Sequence, residues 1–418
     1  MGYIRDVTSL MREFEGSALN VPSPIKEADT VTIKELDQAF IAGTYGRQDV
    51  AFISGKGAEL YDEAGKRYID LGGGIAVNAF GIADDVWADA VKTQVDKLQH
   101  VSNYYYTEPQ SELAQTLCER TGMKKVFFSN SGAEANECAI KAARKYASDK
   151  YGTVARSNII TLWNSFHGRT ITTLSATGQE SFHKDFGPFT PGFVHVAAND
   201  IDAMKLALEA DDVAAVMMEL IQGEGGVNVL DPEYVREVAA ICEKRDVLLV
   251  IDEVQTGNGR TGELYCYMHY GIKPDIVSTA KGLAGGLPMG ATLFGEKTMF
   301  TLTTGSHGST FGGNPVCAAG AISVISRLTD GLMQEVQEKS AYIKETLGSL
   351  KGVVSVSGLG LMLGVETERP AKDILLGCLS RGVIVLTAKN KIRLLPPLNI
   401  PTPLLKEAIA ILKEEIEQ

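Results

Sequence analysis

Short, almost uniformly apolar runs separated by helical segments constrain the fold of this chain most strongly. The runs are VFFS (126–129), NIITLW (158–163), AAVMMEL (214–220), VLLVID (247–252) and IVSTA (276–280). Strands this apolar are typical of a sheet that is covered on both faces, and helices between consecutive strands favour parallel pairing. The spacing predicts such helices over 110–120, 133–147 and 233–244. The sequence therefore predicts an α/β fold with a mostly parallel central sheet.

The pattern changes at both ends of the chain. Residues 1–45 are polar, helical in pieces and broken by Pro22 and Pro24, which predicts an arm, and the segment around Asp62–Lys66 predicts a β-hairpin. Beyond Thr310, helices alternate with the short strands VVSVS, LMLGVE, VIVL and KIRLL. A chain of 418 residues exceeds the usual size of one core. We predict an N-terminal segment (1–70, part of the small domain), a large cofactor-binding domain (71–309) and a C-terminal small α+β domain (310–418).

Charge and cysteine content limit the classes of partner. With 40 basic and 52 acidic residues the net charge is −12, which argues against nucleic acid or an anionic membrane as the main partner. The six cysteines form no CxxC pair, which favours free thiols in a reducing cytoplasm, and no metal site is predicted. The first residues lack the apolar core of a signal peptide, and no run is long and apolar enough to span a membrane.

A single lysine stands between the last apolar run and a cluster of glycines, in DIVSTAKGLAGGLPMG. Lys281 follows the predicted strand, at the end of the sheet where open α/β folds place their ligands. A partly buried lysine loses its proton more readily and can then attack a carbonyl carbon. The neighbouring glycines allow backbone to approach a ligand closely. Taken alone, the stretch is more often an ordinary loop lysine beside flexible turns.

A small-residue turn follows the strand VFFS and begins a helix, in SNSGAEANECAIKAARKY. Ser131, Gly132 and Ala133 would lie at the helix start, where free amides and the helix dipole bind phosphate. Plain α/β architecture explains the same pattern equally well.

Three further residues carry chemistry that fits one ligand. Asp252 ends an apolar strand, so its carboxylate needs a partner, either backbone amides or a protonated ring nitrogen of a cofactor. In FHGRT, Phe166 offers a flat face for stacking and Arg169 a planar fork for a carboxylate, although a buried phenylalanine and a structural salt bridge explain that motif alone. A lysine for an aldehyde, an acid for a ring nitrogen and a helix start for a phosphate together describe pyridoxal phosphate.

Several longer motifs occur in a fixed order along nearly the whole chain, from TYGR at Thr44 to the last helix. They are SNSGAEAN, FHGRT, GEGG, DEVQTGNGRTG, AKGLAGGLPMGA, HGSTFGGNP and RLLPPLNI. In this order they resemble the class III aminotransferases, which implies the pyridoxal-phosphate-dependent transferase fold of type I. Within that class, HVSNYYYTEPQ and IRLLPPLNI are most similar to members that act on N2-acetylornithine. The resemblance implies transamination of N2-acetylornithine with 2-oxoglutarate, giving N-acetylglutamate 5-semialdehyde and glutamate, in arginine biosynthesis.

The resemblance also implies roles for residues that match the family motifs. Lys281 would bind the cofactor covalently and move the proton between substrate and cofactor, and Asp252 would hold the ring nitrogen. The other cofactor residues would be Ser131, Gly132 and Ala133 at the phosphate, Phe166 on the ring, Gln255 at the ring hydroxyl and Thr310 from the neighbouring subunit of a homodimer. The substrate residues would be Arg169 at the α-carboxylate and the pair Glu224 and Arg393, whose acid neutralises the arginine for one substrate and releases it for the other.

The alternatives differ in substrate or in class. An ornithine, 4-aminobutyrate or succinyl-diaminopimelate aminotransferase would use the same scaffold. Leu220, where the family often has proline, and IADDVW after Gly81, where a His-Pro turn is expected, bear on that choice. A nucleotide-dependent dehydrogenase is suggested only by Gly72–Gly74 and Gly81, which do not lie between a buried strand and a helix. A non-catalytic homologue would have no need of Lys281.

Overall fold

The computed structural model describes residues 31–152 and 156–418, so the predicted arm, with Pro22 and Pro24, lies largely outside the described residues. The chain divides into two compact units between Ala51 and Phe52. In the described part of the first unit, helix α1 (Ile33–Phe40) starts at a capping box formed by Thr32 and Glu35, and none of its residues is buried.

A seven-stranded sheet forms the centre of the second unit. Its strands are β4 (Lys125–Ser129), β5 (Asn158–Leu162), β6 (Phe193–Val196), β7 (Val213–Met218), β10 (Leu248–Asp252), β11 (Ile276–Thr279) and β12 (Gly290–Phe294). Their order is β4-β12-β11-β10-β7-β5-β6. The run from β11 to β6 is parallel, and β12 is antiparallel to both of its neighbours. The predicted α/β fold with a mostly parallel central sheet is confirmed.

The strands are apolar throughout because both faces of this sheet are covered. Ala215 and Met217 of β7 belong to one hydrophobic cluster, whereas Val216 and Met218 belong to the other. Side chains alternate between the faces of a strand, so each face packs into its own core. The helices before and between these strands are α2 (Asp85–Lys97), α3 (Glu108–Thr121), α4 (Gly132–Tyr151), α5 (Ile171–Ala176), α6 (Glu180–His183), α7 (Ile201–Leu208), α8 (Pro232–Arg245) and α9 (Tyr267–Tyr270), with a 3₁₀ turn at Lys281–Ala284.

Three smaller sheets complete the architecture of the described residues. The remaining strands are β1 (Phe52–Lys56), β2 (Glu59–Asp62), β3 (Arg67–Asp70), β8 (Ile221–Gln222), β9 (Asn228–Val229), β13 (Val353–Leu359), β14 (Met362–Thr367), β15 (Val383–Ile384), β16 (Leu386–Ala388) and β17 (Lys391–Leu394). The last helices are α10 (Pro315–Ile325), α11 (Asp330–Gly348), α12 (Ala371–Ser380) and α13 (Thr402–Glu417). The sheets have the orders β1-β2-β3-β15, β13-β14-β17-β16 and β8-β9.

Strand pairing joins the two ends of the second unit. The predicted hairpin forms between β2 and β3, where Asp62 Oδ1 accepts hydrogen bonds from the amides of Ala64 and Lys66. Strand β3 then pairs in parallel with β15. The predicted single strand VIVL is wrong in detail, because β15 and β16 fall in different sheets with Val385 between them. The domain boundaries at residues 70 and 309 remain a prediction.

In residues 31–152 and 156–418, no single helix is long and apolar enough to cross a bilayer. Helices α10 and α11 reach that length and apolar content only when taken together, and they are bent by 71° relative to each other.

Candidate active site

The carboxyl ends of β10 and β11 open into a cavity of about 450 Å³, which we call the Lys281 cavity. It brings together most of the residues singled out in the sequence. The predicted residues that line it are Ser131, Gly132, Ala133, Phe166, Arg169, Asp252, Gln255 and Lys281. Glu224 and Arg393 lie behind Gln255, and Thr310 lines a different cavity of its own chain.

Lys281 lies where the sequence placed it, directly after β11 at the start of the 3₁₀ turn. Its backbone has φ of 44°, a left-handed conformation that is uncommon outside glycine and recurs at functional sites. Burial lowers the pKa of the lysine, and Arg393 acts in the same direction, while the charges of Asp252, Glu224 and Glu219 oppose the shift. The net lowering favours the neutral amine, which is the nucleophilic form.

Asp252 is 3% exposed and both of its oxygens accept hydrogen bonds from the protein. Oδ1 accepts from the Val254 amide at 2.9 Å. Oδ2 accepts from Asn136 Nδ2 at 2.7 Å and lies 2.8 Å from His167 Nδ1. Ser278 completes the chain of contacts by donating to Asn136 Oδ1 at 2.5 Å. These contacts hold the carboxylate at the wall of the cavity in one orientation.

His167 is the buried partner of this carboxylate. Burial alone lowers the pKa of His167, but the hydrogen bond and charge of Asp252, with the charge of Glu219, outweigh burial and raise it. With a proton on Nδ1 the ring donates to Asp252 Oδ2 at 2.8 Å, whereas Nε2 is buried with no hydrogen-bond partner among the described residues. Asp252 is therefore held at the cavity wall by several donors, and its carboxylate can accept a hydrogen bond from a further proton-bearing group.

The helix start beside Lys281 has the form of an anion site. Helix α4 begins at Gly132 after Ser131, whose hydroxyl accepts from the Glu134 amide at 3.1 Å. Close packing around the start of α4 requires glycine at positions 132 and 290. A Cβ on Gly132 would lie 2.6 Å from a methyl of Val254, and a Cβ on Gly290 would lie 2.3 Å from the Ser131 carbonyl oxygen. The loop after β10 and the first residue of β12 thus pack against the start of α4 and fix its free amides at the cavity.

Phe166 and Arg169 line another wall of the Lys281 cavity. The Phe166 amide donates to Glu219 Oε1 at 2.8 Å, which holds the loop against the end of β7. The guanidinium of Arg169 lies over two aromatic rings, 5.5 Å from the centre of Phe166 and 4.1 Å from that of Phe182. Arg169 itself is exposed, so its charge faces open space.

Arg393 is 3% exposed and pairs with an acid. Its Nη1 donates to Glu224 Oε1 at 2.5 Å and to Gln255 Oε1 at 3.3 Å. Gln255 lines the Lys281 cavity, so the ion pair lies next to the cavity wall. Removing the acid from this contact would leave a cationic fork facing Gln255.

Sequence reasoning missed four residues of the site: Asn136, His167, Glu219 and Ser278. His167 and Asn136 lie inside motifs already singled out, and a polar residue on the apolar face of α4 was a signal for Asn136. Glu219 lies in the cavity wall, and burial raises its pKa to about 7, an effect that Asp252 strengthens and His167 opposes. No local pattern pointed to Ser278, because its partner lies on a distant helix.

The residues present fit pyridoxal 5′-phosphate. The cavity offers an amine for the aldehyde, a buried carboxylate for the ring nitrogen, an aromatic face and a helix start for the phosphate. The orientation of Asp252 by His167 and Asn136 supports the same assignment, because it holds a carboxylate at the cavity wall, where it can accept from a protonated ring nitrogen. When bound, the cofactor supplies an electron sink for carbanion chemistry. Among the described residues, no cluster of His, Cys, Asp or Glu could hold a metal ion.

The doubly covered α/β sheet, with Asp252 at the end of β10 and Lys281 directly after β11, has the fold and the site of a pyridoxal-phosphate-dependent transferase of fold type I. The family model of the class-III aminotransferases matches residues 42–416. The chain belongs to this family, and it is an aminotransferase that uses pyridoxal 5′-phosphate.

Individual relatives cover nearly the whole chain. An acetylornithine aminotransferase from Haemophilus ducreyi is 50% identical over 388 residues, which are 92% of this chain and 98% of that protein. A succinylornithine transaminase from Yersinia enterocolitica is 41% identical over 403 residues, or 93% and 97% of the two chains. A solved structure of the ornithine aminotransferase from Toxoplasma gondii, with partial occupancy of PLP at its active site, is 30% identical with a TM-score of 0.88 and covers 93% of this chain and 95% of its own.

Proposed function

We propose that this aminotransferase transfers the terminal amino group of N2-acetylornithine to 2-oxoglutarate, giving N-acetylglutamate 5-semialdehyde and glutamate in arginine biosynthesis. The observation that carries the substrate assignment is the 50% identity to an acetylornithine aminotransferase over almost the full length of both chains. The site supports the same assignment, because Arg169 lines the Lys281 cavity and Arg393, paired with Glu224, lies behind Gln255 at its wall.

The residues divide the work of the reaction between them. Lys281 would hold the cofactor and move the proton at the substrate carbon, and burial, which lowers the pKa of its amine, favours the form that can accept a proton. Asp252 would hold the protonated ring nitrogen, Phe166 would stack on the ring and Gln255 would hydrogen-bond the ring hydroxyl. Ser131, Gly132 and Ala133 present the start of α4 to the phosphate. Arg169 binds the carboxylate of the amino donor as a bidentate fork.

The substrate assignment is tested by comparing amino donors on the purified enzyme. With 2-oxoglutarate as acceptor, N2-acetylornithine should give the highest kcat/KM, measured as glutamate formed. The donors to compare are N2-succinylornithine, ornithine, 4-aminobutyrate and N-succinyl-diaminopimelate. A higher kcat/KM for any of these donors would show that it, and not N2-acetylornithine, is the preferred substrate. The absence of glutamate with all five donors would reject the proposed reaction.

Arg393→Ala should separate the two half-reactions. Glu224 neutralises Arg393 while the acylated donor is bound, and Arg393 becomes available for the second carboxylate of 2-oxoglutarate or glutamate. Losing an arginine that binds a buried carboxylate typically costs about 2–5 kcal/mol. We therefore expect kcat/KM for 2-oxoglutarate to fall by roughly 100-fold and that for N2-acetylornithine by less than about five-fold. Single-turnover absorbance changes with each substrate alone measure the two values separately.

The matched variant is Glu224→Gln, which leaves Arg393 charged and unpaired. In Glu224→Gln, kcat/KM for N2-acetylornithine should fall while kcat/KM for 2-oxoglutarate stays near the wild-type value. This pattern is the reverse of that expected for Arg393→Ala. Equal losses for both substrates in either variant would make the pair a structural ion pair instead of a selector.

We also propose a cytoplasmic homodimer with shared active sites. Thr310 lies outside the Lys281 cavity of its own chain, which is compatible with a role at the neighbouring subunit's phosphate site. The loop that follows α2 exposes Tyr104 and Tyr106 almost completely, and Phe311 is 60% exposed, so an aromatic surface is available for a second copy. All six cysteines are free, which suits a reducing compartment. Sedimentation at micromolar concentration measures the assembly.

A further inference from the structure

Arg169 and Arg393, the two arginines proposed to bind substrate carboxylates, are held in different ways. Arg393 is buried and paired with Glu224 at 2.5 Å. Arg169 is exposed, and its neighbours are the rings of Phe166 and Phe182. Among residues 31–152 and 156–418, it has no acidic partner within ion-pair distance. The guanidinium of Arg393 is thus paired with an acid, whereas that of Arg169 has only ring faces beside it.

A ring face suits the positioning of a cation that must stay free to bind. The quadrupole of the ring attracts the flat face of a guanidinium, while the N–H groups point outward in the plane and remain available as donors. A carboxylate partner would occupy those donors and compete with the substrate. The 4.1 Å separation between the Arg169 guanidinium and the centre of Phe182 is the shorter of the two ring contacts.

Phe182 is well placed to fix Arg169 because its own segment is anchored. The short helix α6 that carries it follows Gln179, whose side chain is 5% exposed and donates to the Ser165 carbonyl at 3.0 Å. The adjacent His183 Nε2 lies 2.8 Å from the Leu174 carbonyl. Ser165 precedes Phe166, so this network ties Phe182 to the same loop that carries Phe166 and Arg169. The rings of Phe166 and Phe182 also contact each other edge to face, with their centres 5.7 Å apart.

We propose that Phe182 is a positioning residue that orients Arg169 for the substrate carboxylate without neutralising it. Phe182 does not line the Lys281 cavity and acts through Arg169. This role rests on the proposed function, in which Arg169 binds a substrate carboxylate, and Phe182 keeps that carboxylate subsite available. Both substrates of a transamination carry a carboxylate, so this subsite serves both half-reactions while the Glu224–Arg393 pair distinguishes them.

The test compares Phe182→Leu with Phe182→Tyr in the holoenzyme. Leucine keeps apolar bulk and removes the ring face, whereas tyrosine restores it. In Phe182→Leu, the dissociation constant for glutarate, a dicarboxylate that cannot react, should rise roughly five- to thirty-fold, and KM for both substrates should rise with kcat nearly unchanged. Phe182→Tyr should return these values to within about two-fold of wild type. Calorimetry measures glutarate binding without turnover.

Two controls separate positioning from general damage. Phe186→Leu alters an exposed ring in the same segment and should leave glutarate binding unchanged. A primary alkyl amine without a carboxylate should react with Phe182→Leu at the wild-type rate in single turnover. Unchanged glutarate binding in Phe182→Leu, a fall in the single-turnover rate with the alkyl amine, or failure of tyrosine to restore binding would each overturn the proposal. Glutarate binding is measured on unreacted enzyme, so rejection of the proposed donor leaves this test intact.

Discussion

Lys281→Ala should abolish the covalent attachment of the cofactor and lower kcat by at least about a thousand-fold. Lys281 is the only lysine that lines the cavity among the described residues, and burial lowers its pKa toward the nucleophilic form. Alanine offers neither an amine for the aldehyde nor a base for the substrate proton, so two functions disappear together. After borohydride reduction, peptide mass mapping of the wild type should place the cofactor on Lys281, and the visible absorption of the bound cofactor should change in the variant.

Two further variants show that the loss is specific to this amine. Lys281→Arg keeps a positive charge in the cavity but has no nucleophilic amine, so it should be as inactive as alanine. Lys344 is the matched lysine: burial also lowers its pKa, but it donates to the Gly358 carbonyl outside the cavity. Lys344→Ala should retain the cofactor and most of kcat. Reduced, covalently attached cofactor in Lys281→Ala, or normal turnover by that variant, would contradict the assignment of Lys281.

The sequence could predict those residues of the candidate site that lie at the ends of buried strands. Buried parallel strands must be apolar along their length, so a charged residue at the end of one is conspicuous, and both Asp252 and Lys281 were visible for this reason. Neighbouring parallel strands bring their carboxyl ends to one edge, and Asp252 is in register with Ser278, three residues before Lys281. The start of α4 could also be predicted from a local pattern, because a turn of small residues directly follows a predicted strand there.

The sequence could not predict contacts between distant side chains. Asn136 and Asp252 are separated by 116 positions, and only the packing of α4 on the sheet brings them to 2.7 Å. The partnership of Phe182 with Arg169 depends on how α6 folds back along the loop, which no periodicity records. The split of VIVL has the same origin: an apolar run shows that a segment is buried, but the partner strand decides which sheet it joins.

Asp252→Asn should lower kcat by about two to three orders of magnitude with the cofactor still bound through Lys281. Asparagine keeps the shape of the side chain and removes the charge that we propose holds the ring nitrogen protonated. It also conflicts with its surroundings, because Asn136 Nδ2, His167 Nδ1 and the Val254 amide donate to the two carboxylate oxygens. The new amide group must face at least one of these donors. Single-turnover kinetics with N2-acetylornithine measure the chemical step, and thermal unfolding measures the accompanying loss of stability.

Glu253 provides the control, because it is the adjacent residue, also a fully buried acid, and does not line the cavity. Its carboxylate accepts from the Thr256 hydroxyl and the Tyr267 amide, and burial raises its pKa to about 7. Glu253→Gln should therefore lower stability while leaving kcat within about three-fold of wild type. Parallel losses of stability and kcat in the two variants would show that Asp252 acts only through folding. A loss of kcat confined to Asp252→Asn, at a stability similar to that of Glu253→Gln, would show that its charge serves the chemical step.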